Sequence, residues 1–303
     1  MKPIVLAPMA GITDKPFRQM VRLFGKQTLY TEMVGVESLA RNHPQTRKMM
    51  SVQDEENVIV QLVGINPNAF VYATHFAEDI GAVGIDINMG CPVKKLISNG
   101  SGSALLKTPD IAAKLVETVK NATTLPVSVK MRIGWDENSI NAVDFAKIIE
   151  NAGADKITVH ARTKAQGYSG KANWDIVRQV KENIRIPVFV NGDITDRNSA
   201  ESALHITNAD GIMIGRGALG RPWLLSEIKT GEKQTVNVCE LLLKHIDLLL
   251  DYYGPHGFFV ARKHIAWYAK SQKNVAEFCQ KVYAETDIDK VRDLICLFFK
   301  EGK

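Results

Sequence analysis

Residues 85–92 read Ile-Asp-Ile-Asn-Met-Gly-Cys-Pro, an alternating apolar segment that runs directly into small and polar residues. The alternation predicts a buried β-strand, and Pro92 ends it because proline cannot continue a sheet ladder. The strand therefore presents an amide, Asn88, and a thiol, Cys91, near its carboxyl end. Residues 98–103 are a loop of small side chains that we expect to be a mobile cover over a site. A lone buried cysteine is more often structural, but these neighbours favour a chemical role for Cys91.

Short β-branched segments like this one recur along the chain and alternate with helical patterns. The strand candidates are residues 4–7, 28–33, 58–63, 84–88, 127–132, 156–160, 187–191 and 211–215, and the helical patterns between them include 67–80, 110–120, 139–152 and 174–182. Eight such units over residues 1–232 predict an α/β protein with a (β/α)8 TIM barrel, not an open doubly wound sheet. No G-x-G-x-x-G follows the first strand, which argues against a dinucleotide-binding Rossmann domain. Residues 235–303 show only helical periodicity and predict a small C-terminal all-helical domain.

The composition is that of an ordinary globular protein. The 303 residues are 45% hydrophobic and 23% charged, and the formal net charge of +5 is compatible with a polyanionic partner. No apolar run approaches the ~18 residues of a membrane span. The four cysteines are far apart in sequence and form no CxxC pair, which predicts reduced thiols and neither a disulfide framework nor a metal site. We therefore expect a monomeric cytoplasmic protein.

Polar or small residues stand at the carboxyl end of every predicted strand, where the sites of such barrels lie. A single lysine or histidine at a strand end is more often structural. Polar or small residues at the ends of all eight predicted strands favour a ligand site. In strand order they are Pro8, Met9 and Ala10; Glu32; Gln61; Asn88 and Cys91; Lys130 and Arg132; His160 and Arg162; Asn191, Gly192 and Asp193; and Gly215 and Arg216.

The last two strand ends predict a phosphate site. Asn191-Gly192-Asp193 and Gly215-Arg216-Gly217 offer backbone N–H groups and a guanidinium where this fold commonly binds phosphate. The alternative is a pair of glycine turns that tighten the barrel corners. Lys130 and Gln61 could donate hydrogen bonds to an electron-poor ring packed on residues 8–10. A phosphate joined to such a ring suggests FMN.

Four segments resemble the tRNA-dihydrouridine synthases, and in particular their bacterial B-type subfamily. They are LAPMAGITD at residues 6–14, DINMGCP at 86–92, GIMIGRGA at 211–218 and ARKHIAWY at 261–268. The resemblance extends over nearly the whole chain. The N-x-G-C-P pattern with its glycine loop is specific to the family, whereas the last two barrel strands carry patterns shared among flavin barrels.

This resemblance implies a cofactor site and a reaction. By position, the flavin ring would lie on Pro8, Met9 and Ala10 and bind Gln61 and Lys130, and the ribityl phosphate would bind Asn191, Gly192, Asp193, Gly215 and Arg216. NADPH, or NADH, would reduce FMN; hydride would pass to C6 of a tRNA uridine flipped out of its stack, and Cys91 would protonate C5. Asn88, His160 and Arg162 would lie near the flavin and the uracil, with Asn88 and Arg162 stabilising charge on the uracil carbonyls.

Residues 258–273 predict a helix with one apolar and one basic side. Phe258, Ala261, Ile265, Tyr268 and Gln272 share one sector of the helical wheel, whereas Arg262, Lys263, Lys270 and Lys273 fall in another. The basic side predicts contact with tRNA phosphates, and a solvated charged face is the alternative.

Three other functions remain compatible with the residues. The same chemistry could act on ribosomal RNA, a flavin barrel could act on a small pyrimidine or enone, and the chain could be a noncatalytic RNA-binding module. The basic helix argues against the small substrate, and the set of polar strand ends argues against the noncatalytic module.

Overall fold

The computed structural model describes residues 1–301 and confirms the predicted barrel. Eight parallel strands form one sheet in the order β1-β8-β7-β6-β5-β4-β3-β2. Their bounds are β1 Ile4–Leu6, β2 Leu29–Gly35, β3 Val58–Val63, β4 Ile85–Met89, β5 Val127–Arg132, β6 Lys156–His160, β7 Val188–Asn191 and β8 Gly211–Ile214. The sheet approaches closure between its first two strands, where the Leu6 N–H donates to the Thr28 carbonyl over 3.2 Å.

Helices surround the barrel and then continue beyond it. They are α1 Lys15–Arg22, α2 Val36–Ala40, α3 Pro44–Met50, α4 Pro67–Asp79, α5 Lys94–Ser98, α6 Pro109–Ala122, α7 Ala142–Asn151, α8 Trp174–Asn183, α9 Arg197–Thr207, α10 Leu224–Thr230, α11 Val238–Tyr253, α12 Gly257–Ala269, α13 Val275–Ala284 and α14 Ile288–Glu301. Local sequence sets several starts: Pro67 and Pro109 occupy the first helical turn, and Asp196 caps α9 reciprocally with Ser199. In the part of the chain described, no helix is long and apolar enough to cross a membrane.

Strand alternation decides which side chains face the barrel interior. Ile85, Ile87 and Met89 of β4 belong to the large apolar core that continues into the surrounding helices. Their neighbours Asp86 and Asn88 therefore point to the opposite, inner face. Parallel pairing places Asn88 beside Lys130, Arg132 beside His160 and His160 beside Asn191. The sheet thus gathers polar residues from distant parts of the sequence.

The C-terminal helices α11–α14 have an apolar core of their own. It includes Leu242, Ile246, Ala261, Ile265 and Val282. The predicted domain boundary at residues 232–235 falls in the connection between α10 and α11. The Tyr253 hydroxyl donates to Asp14, the cap of α1, over 3.0 Å, and so joins this region to the barrel.

One departure from the predictions concerns this region. The helix expected over residues 258–273 ends at Ala269, because the chain turns through residues 270–273 and Asn274 adopts a left-handed conformation before α13. Between α11 and α14, the sulfur atoms of Cys239 and Cys296 lie 3.6 Å apart, and both residues are free thiols.

Two histidines are buried where α11 and α12 meet the barrel helix α1. The His245 and His264 ring centroids are 4.4 Å apart, and each lies 5.8 Å from the Phe17 ring. Among residues 1–301, neither ring nitrogen of His264 has a hydrogen-bonding partner, and His245 Nε2 also lacks one. Burial lowers the pKa of His245 to about 3 and lowers that of His264 well below its usual value.

These histidines predict a pH-dependent stability. Below about pH 6.5 the histidines of the unfolded chain bind protons that the buried histidines of the folded chain do not. The contribution of the histidines to the free energy of unfolding is therefore full above that pH and is lost as pH falls. A His264→Phe variant removes one such group from an aromatic environment. Its free energy of unfolding should fall between pH 7 and pH 5 by about 2 kcal/mol less than that of the parent, measured by urea denaturation.

Two buried carboxyl groups change stability with pH in the direction opposite to that of the histidines. Parent and variant both contain them, so their effects cancel when the two proteins are compared. Burial raises the pKa of Asp14 and of Asp86 to about 6, so their protonation favours the folded chain as pH falls. Replacement of the exposed His75 by Gln is the control and should leave the parent's pH dependence. Equal pH dependence of parent and His264→Phe would show that the folded chain protonates His264.

Candidate functional site

A cavity of about 1110 Å³ opens at the carboxyl ends of the strands. Trp223, Trp267 and Tyr268 form a wall on the side of the C-terminal helices. The predicted site residues that line it are Pro8, Met9, Ala10, Gln61, Asn88, Cys91, Lys130, His160, Asn191, Gly192, Asp193, Gly215, Arg216 and Lys270. Four residues predicted for ligand contact, Arg162, Arg262, Lys263 and Lys273, lie outside this lining.

Asn88 organises the turn that carries Cys91. Its Oδ1 accepts hydrogen bonds from the backbone N–H groups of Gly90 and Cys91, over 3.1 Å and 2.9 Å. Its Nδ2 donates to Gln61 Oε1 over 2.8 Å. These bonds explain why an asparagine precedes the Gly-Cys-Pro turn: the side chain replaces the ladder partners that the chain loses as it leaves the sheet.

The Cys91 thiol retains its proton at neutral pH. Partial burial raises its pKa above the usual value, although the Val93 N–H and the charges of Arg132 and Lys130 act in the opposite direction. The residue is therefore an acid and not a ready thiolate. The same three groups would stabilise the thiolate that forms when the proton leaves.

The glycine loop, residues 98–103, does not line the cavity. The sequence had predicted that this loop would cover a site. It supports Cys91 from behind, where the Ser103 N–H donates to the Cys91 carbonyl over 3.1 Å. Gly102 has φ +61°, and a Cβ there would lie 2.9 Å from that carbonyl oxygen. Glycine is required at this position by both backbone conformation and space.

Lys130 and His160 differ in charge although they face the same cavity. Burial, and then the nearby Arg132, lower the pKa of Lys130 to about 8, so its ammonium is largely charged at neutral pH. Burial and the surrounding cations, Lys130 first, lower the pKa of His160 to about 2. His160 is therefore a neutral imidazole that can donate one hydrogen bond and accept another.

The ends of β7 and β8 form a corner with exposed backbone. Gly192 and Asp193 have φ of +119° and +57°, and residues 216–218 make a single 3-10 turn. The Asn191 Nδ2 donates to the Met213 carbonyl over 2.8 Å, which joins the two strands. The Arg216 guanidinium lies 4.5 Å from the ring centroid of Tyr168 at the cavity wall.

Arg162 is buried behind this corner. Its Nη2 binds both carboxylate oxygens of Asp193, at 2.7 and 2.8 Å, and its Nε donates to the Ser169 carbonyl over 3.0 Å. The Ala172 N–H also donates to Asp193, and the pKa of that carboxyl is lowered by the hydrogen bonds and by the Arg162 charge. Arg162 therefore holds the Asp193 turn, and its Nη1 has no hydrogen-bonding partner among residues 1–301. The family resemblance had implied a position near the flavin and the uracil.

The basic side predicted for residues 258–273 does not form one surface. Arg262 donates to the Glu285 carbonyl over 3.0 Å and lies 5.1 Å from the ring centroids of Phe258 and Phe259. Lys263 donates to the Gly11 carbonyl of the barrel. Lys270 and Lys273 follow the end of α12, and Lys270 borders the cavity with Ser271 and Gln272.

Several lining residues were not identified from the sequence. Tyr168 is an exposed aromatic residue in a polar segment, which was the available signal. Trp267 was quoted only for its resemblance, and Tyr268 was assigned to the apolar side of the helix, because helical periodicity does not show that α12 ends at a cavity. Within residues 1–301, no three His, Cys, Asp or Glu side chains gather as a metal site would require.

Comparison with known proteins gives a consistent set of relatives. The family described as "Dihydrouridine synthase (Dus)" matches residues 5–297. A Rickettsia conorii protein named "Probable tRNA-dihydrouridine synthase" is 44% identical over 307 aligned positions that cover 98% of this chain and 93% of the relative. A Pectobacterium carotovorum protein named "tRNA-dihydrouridine synthase B" is 38% identical, with 98% and 96% covered. A Synechocystis protein, "Probable tRNA-dihydrouridine synthase 1", is 41% identical, with 96% and 85% covered.

The support of Cys91 by Gly102 can be tested with Gly102→Ala. The new methyl group should displace the Cys91 carbonyl and cost about 1–3 kcal/mol of stability beyond the backbone strain. Gly81→Ala is the matched control, because Gly81 also has positive φ but no atom lies within 4 Å of the position that a Cβ would take there. Thermal and urea unfolding should show the larger loss in Gly102→Ala, and equal losses would contradict the close contact.

Proposed function

The chain belongs to the dihydrouridine synthase family, and from that premise we propose that it reduces the C5–C6 double bond of uridines in tRNA. FMN would be the bound cofactor and NADPH, or NADH, the reductant. The observation that carries the proposal is a protonated thiol, Cys91, that borders one cavity together with a lysine ammonium and an exposed backbone corner. Action on tRNA would place the enzyme in the cytoplasm.

The residues present fit FMN. In the described part of the chain no protein group accepts a hydrogen bond from the Lys130 ammonium, which leaves it available for the ring, and Gln61 has one amide N–H beyond the bond it already donates. The backbone of Gly192 and Gly217 and the Arg216 guanidinium suit the ribityl phosphate. Pro8, Met9 and Ala10 would pack beneath the ring. Bound FMN would supply the hydride that C6 of the uracil receives.

Cys91 is the proposed acid. Its Sγ would hold a proton until C5 of the uracil needs it, because the pKa of the thiol is raised by burial. Asn88 would stay behind this thiol and set its backbone, and His160 would meet the ligands as a neutral imidazole. We assign Arg162 to the positioning of Asp193, not to the uracil.

Lys270 is the best-supported contact for the RNA backbone. It follows α12 at the rim of the cavity and so stands where a flipped nucleotide would enter. Arg262 and Lys263 already bind carbonyls of the chain itself, which makes them poorer candidates. The phosphate contact is therefore proposed for Lys270, with Lys273 next to it.

The function is tested by a Cys91→Ala variant. The purified parent should be yellow and should form dihydrouridine in tRNA with NADPH. The variant should still bind FMN and accept electrons from NADPH, but dihydrouridine formation should fall by roughly 10²-fold or more, as for loss of a positioned general acid. Product is measured by mass spectrometry of digested tRNA.

Other substrates, the colour of the purified protein and the activity of the variant separate the alternatives. Ribosomal RNA and free uridine replace tRNA in the same assay, and a preference for either would overturn the tRNA proposal. A parent protein that is colourless and cannot be reconstituted with FMN would exclude the flavin reaction. Undiminished product from Cys91→Ala would show that the proton has another source.

The RNA contact is tested by Lys270→Gln. Loss of one phosphate contact should weaken tRNA binding and lower the slope of log affinity against log salt by up to about one unit. The control is Lys114→Gln, because exposed Lys114 lies on the outer helix α6 beside Glu117. Binding is measured by filter retention at several salt concentrations, and equal slopes for both variants would place the contact elsewhere.

A further inference from the structure

We propose that Asp86, a residue outside the cavity lining, positions the reactive thiol turn by fixing the orientation of two amides, those of Gln61 and Asn88. The proposal rests on the function proposed above, in which Cys91 is the acid. Asp86 touches neither the cavity nor Cys91. It is therefore a positioning residue and acts through its neighbours.

Neighbouring strands enclose the Asp86 carboxylate. Asp86 is fully buried on the inner face of β4, where strand pairing places it beside Gln61 of β3 and Ser128 of β5. Its Oδ2 accepts from Gln61 Nε2 over 2.7 Å, and its Oδ1 accepts from the Ser128 hydroxyl over 2.5 Å. Both oxygens are thus bound by neutral donors within one layer of the barrel.

The carboxylate imposes a direction on the hydrogen bonds between it and Cys91. An ionised carboxylate can only accept hydrogen bonds, so the NH₂ end of Gln61 must face it. The Gln61 Oε1 then faces Asn88 and accepts from its Nδ2 over 2.8 Å. With its NH₂ end used in this way, Asn88 turns its Oδ1 to the N–H groups of Gly90 and Cys91.

Two neighbouring amides do not fix their own orientation. A carboxamide can be rotated by half a turn with little change of shape. Two hydrogen-bonded amides taken alone can therefore adopt either of two orientations that occupy nearly the same space. In the reversed one, Asn88 would present an NH₂ group to the N–H groups of Gly90 and Cys91, and donor would face donor. Asp86 adds a second and charged penalty to that orientation, since a reversed Gln61 would set its own oxygen against the carboxylate.

Electrostatics agree with an ionised Asp86 at neutral pH. Burial raises its pKa to about 6, while the bonds from Gln61 and Ser128 and the charges of Lys156 and Lys130 oppose the rise. Buried groups of this kind are costly. Gln61 and Asn88 both line the cavity. The orientation of these two residues is therefore what a destabilising buried carboxylate provides to the site.

The test compares Asp86→Asn with Ser128→Ala. Asp86→Asn keeps the volume but adds a donor, so Gln61 loses its single orientation; Ser128→Ala removes the other bond and keeps the carboxylate. In stopped-flow measurements on FMN-loaded enzyme, Asp86→Asn should slow tRNA-dependent flavin reoxidation about tenfold and leave the KM for tRNA near that of the parent. Ser128→Ala should stay within about threefold.

A merely structural role predicts a different result. The two variants would then lose activity in proportion to their loss of stability, and this result would overturn the proposal. A folded Asp86→Asn enzyme whose tRNA-dependent flavin reoxidation proceeds at the parent rate would overturn it as well. A double-mutant cycle adds a direct check. If Asp86 acts through Gln61, then Asp86→Asn should have little further effect in a Gln61→Ala background.

Amide hydrogen exchange keeps the proposal separate from the function. The N–H groups of Gly90 and Cys91 should exchange faster in Asp86→Asn than in the parent, and at the parent rate in Ser128→Ala. This holds even if the parent makes no dihydrouridine, a result that would sink only the function. Should Asp86→Asn fail to fold, Gln61→Met, which removes the intervening amide, should show the same faster exchange; protection equal to the parent would overturn the proposal.

Discussion

Parallel pairing of β3, β4 and β5 is the constraint on which the site depends. It sets Gln61 beside Asp86 and Asn88 beside Lys130, and alternation along each strand turns all four side chains inward. A slip of one residue in β4 would send Asp86 and Asn88 to the helices and Ile87 into the polar interior. The apolar outer core therefore holds the register, and the register holds the chain of hydrogen bonds that ends at Cys91.

The C-terminal helices complete the cavity because they are attached closely to the barrel. Gly220 lies so near α12 that a Cβ would come within 2.2 Å of the Trp267 carbonyl oxygen. Lys263 donates to Gly11, and Tyr253 donates to Asp14. These contacts set Trp267 and Tyr268 against the strand ends. The attachment uses one of the lysines that the sequence offered for RNA, which moves the proposed phosphate contact to the rim at Lys270.

Strand positions were predictable, but the use of polar residues at strand ends was only partly so. Short β-branched segments gave β3, β5 and β6 with their observed bounds, since β-branched residues favour buried strands. Periodicity failed at residues 270–273, where neither glycine nor proline marks the end of α12. It also could not show that Cys239 and Cys296 meet, or that Asp86 matters, because both depend on packing between distant segments.

Arg162 shows why a strand-end cation cannot be assigned from sequence alone. Such a residue can bind a ligand or hold another residue in place. Arg162 holds Asp193 in place, and its Nη1 has no partner among residues 1–301. Its charge still contributes to the site: together with Lys130, Arg132 and Arg216 it lowers the pKa of His160. Burial is the first cause of the neutral state of His160, and the four cations add to it. Cations clustered at one cavity favour anionic ligands over neutral ones, and this selection acts before any single contact forms.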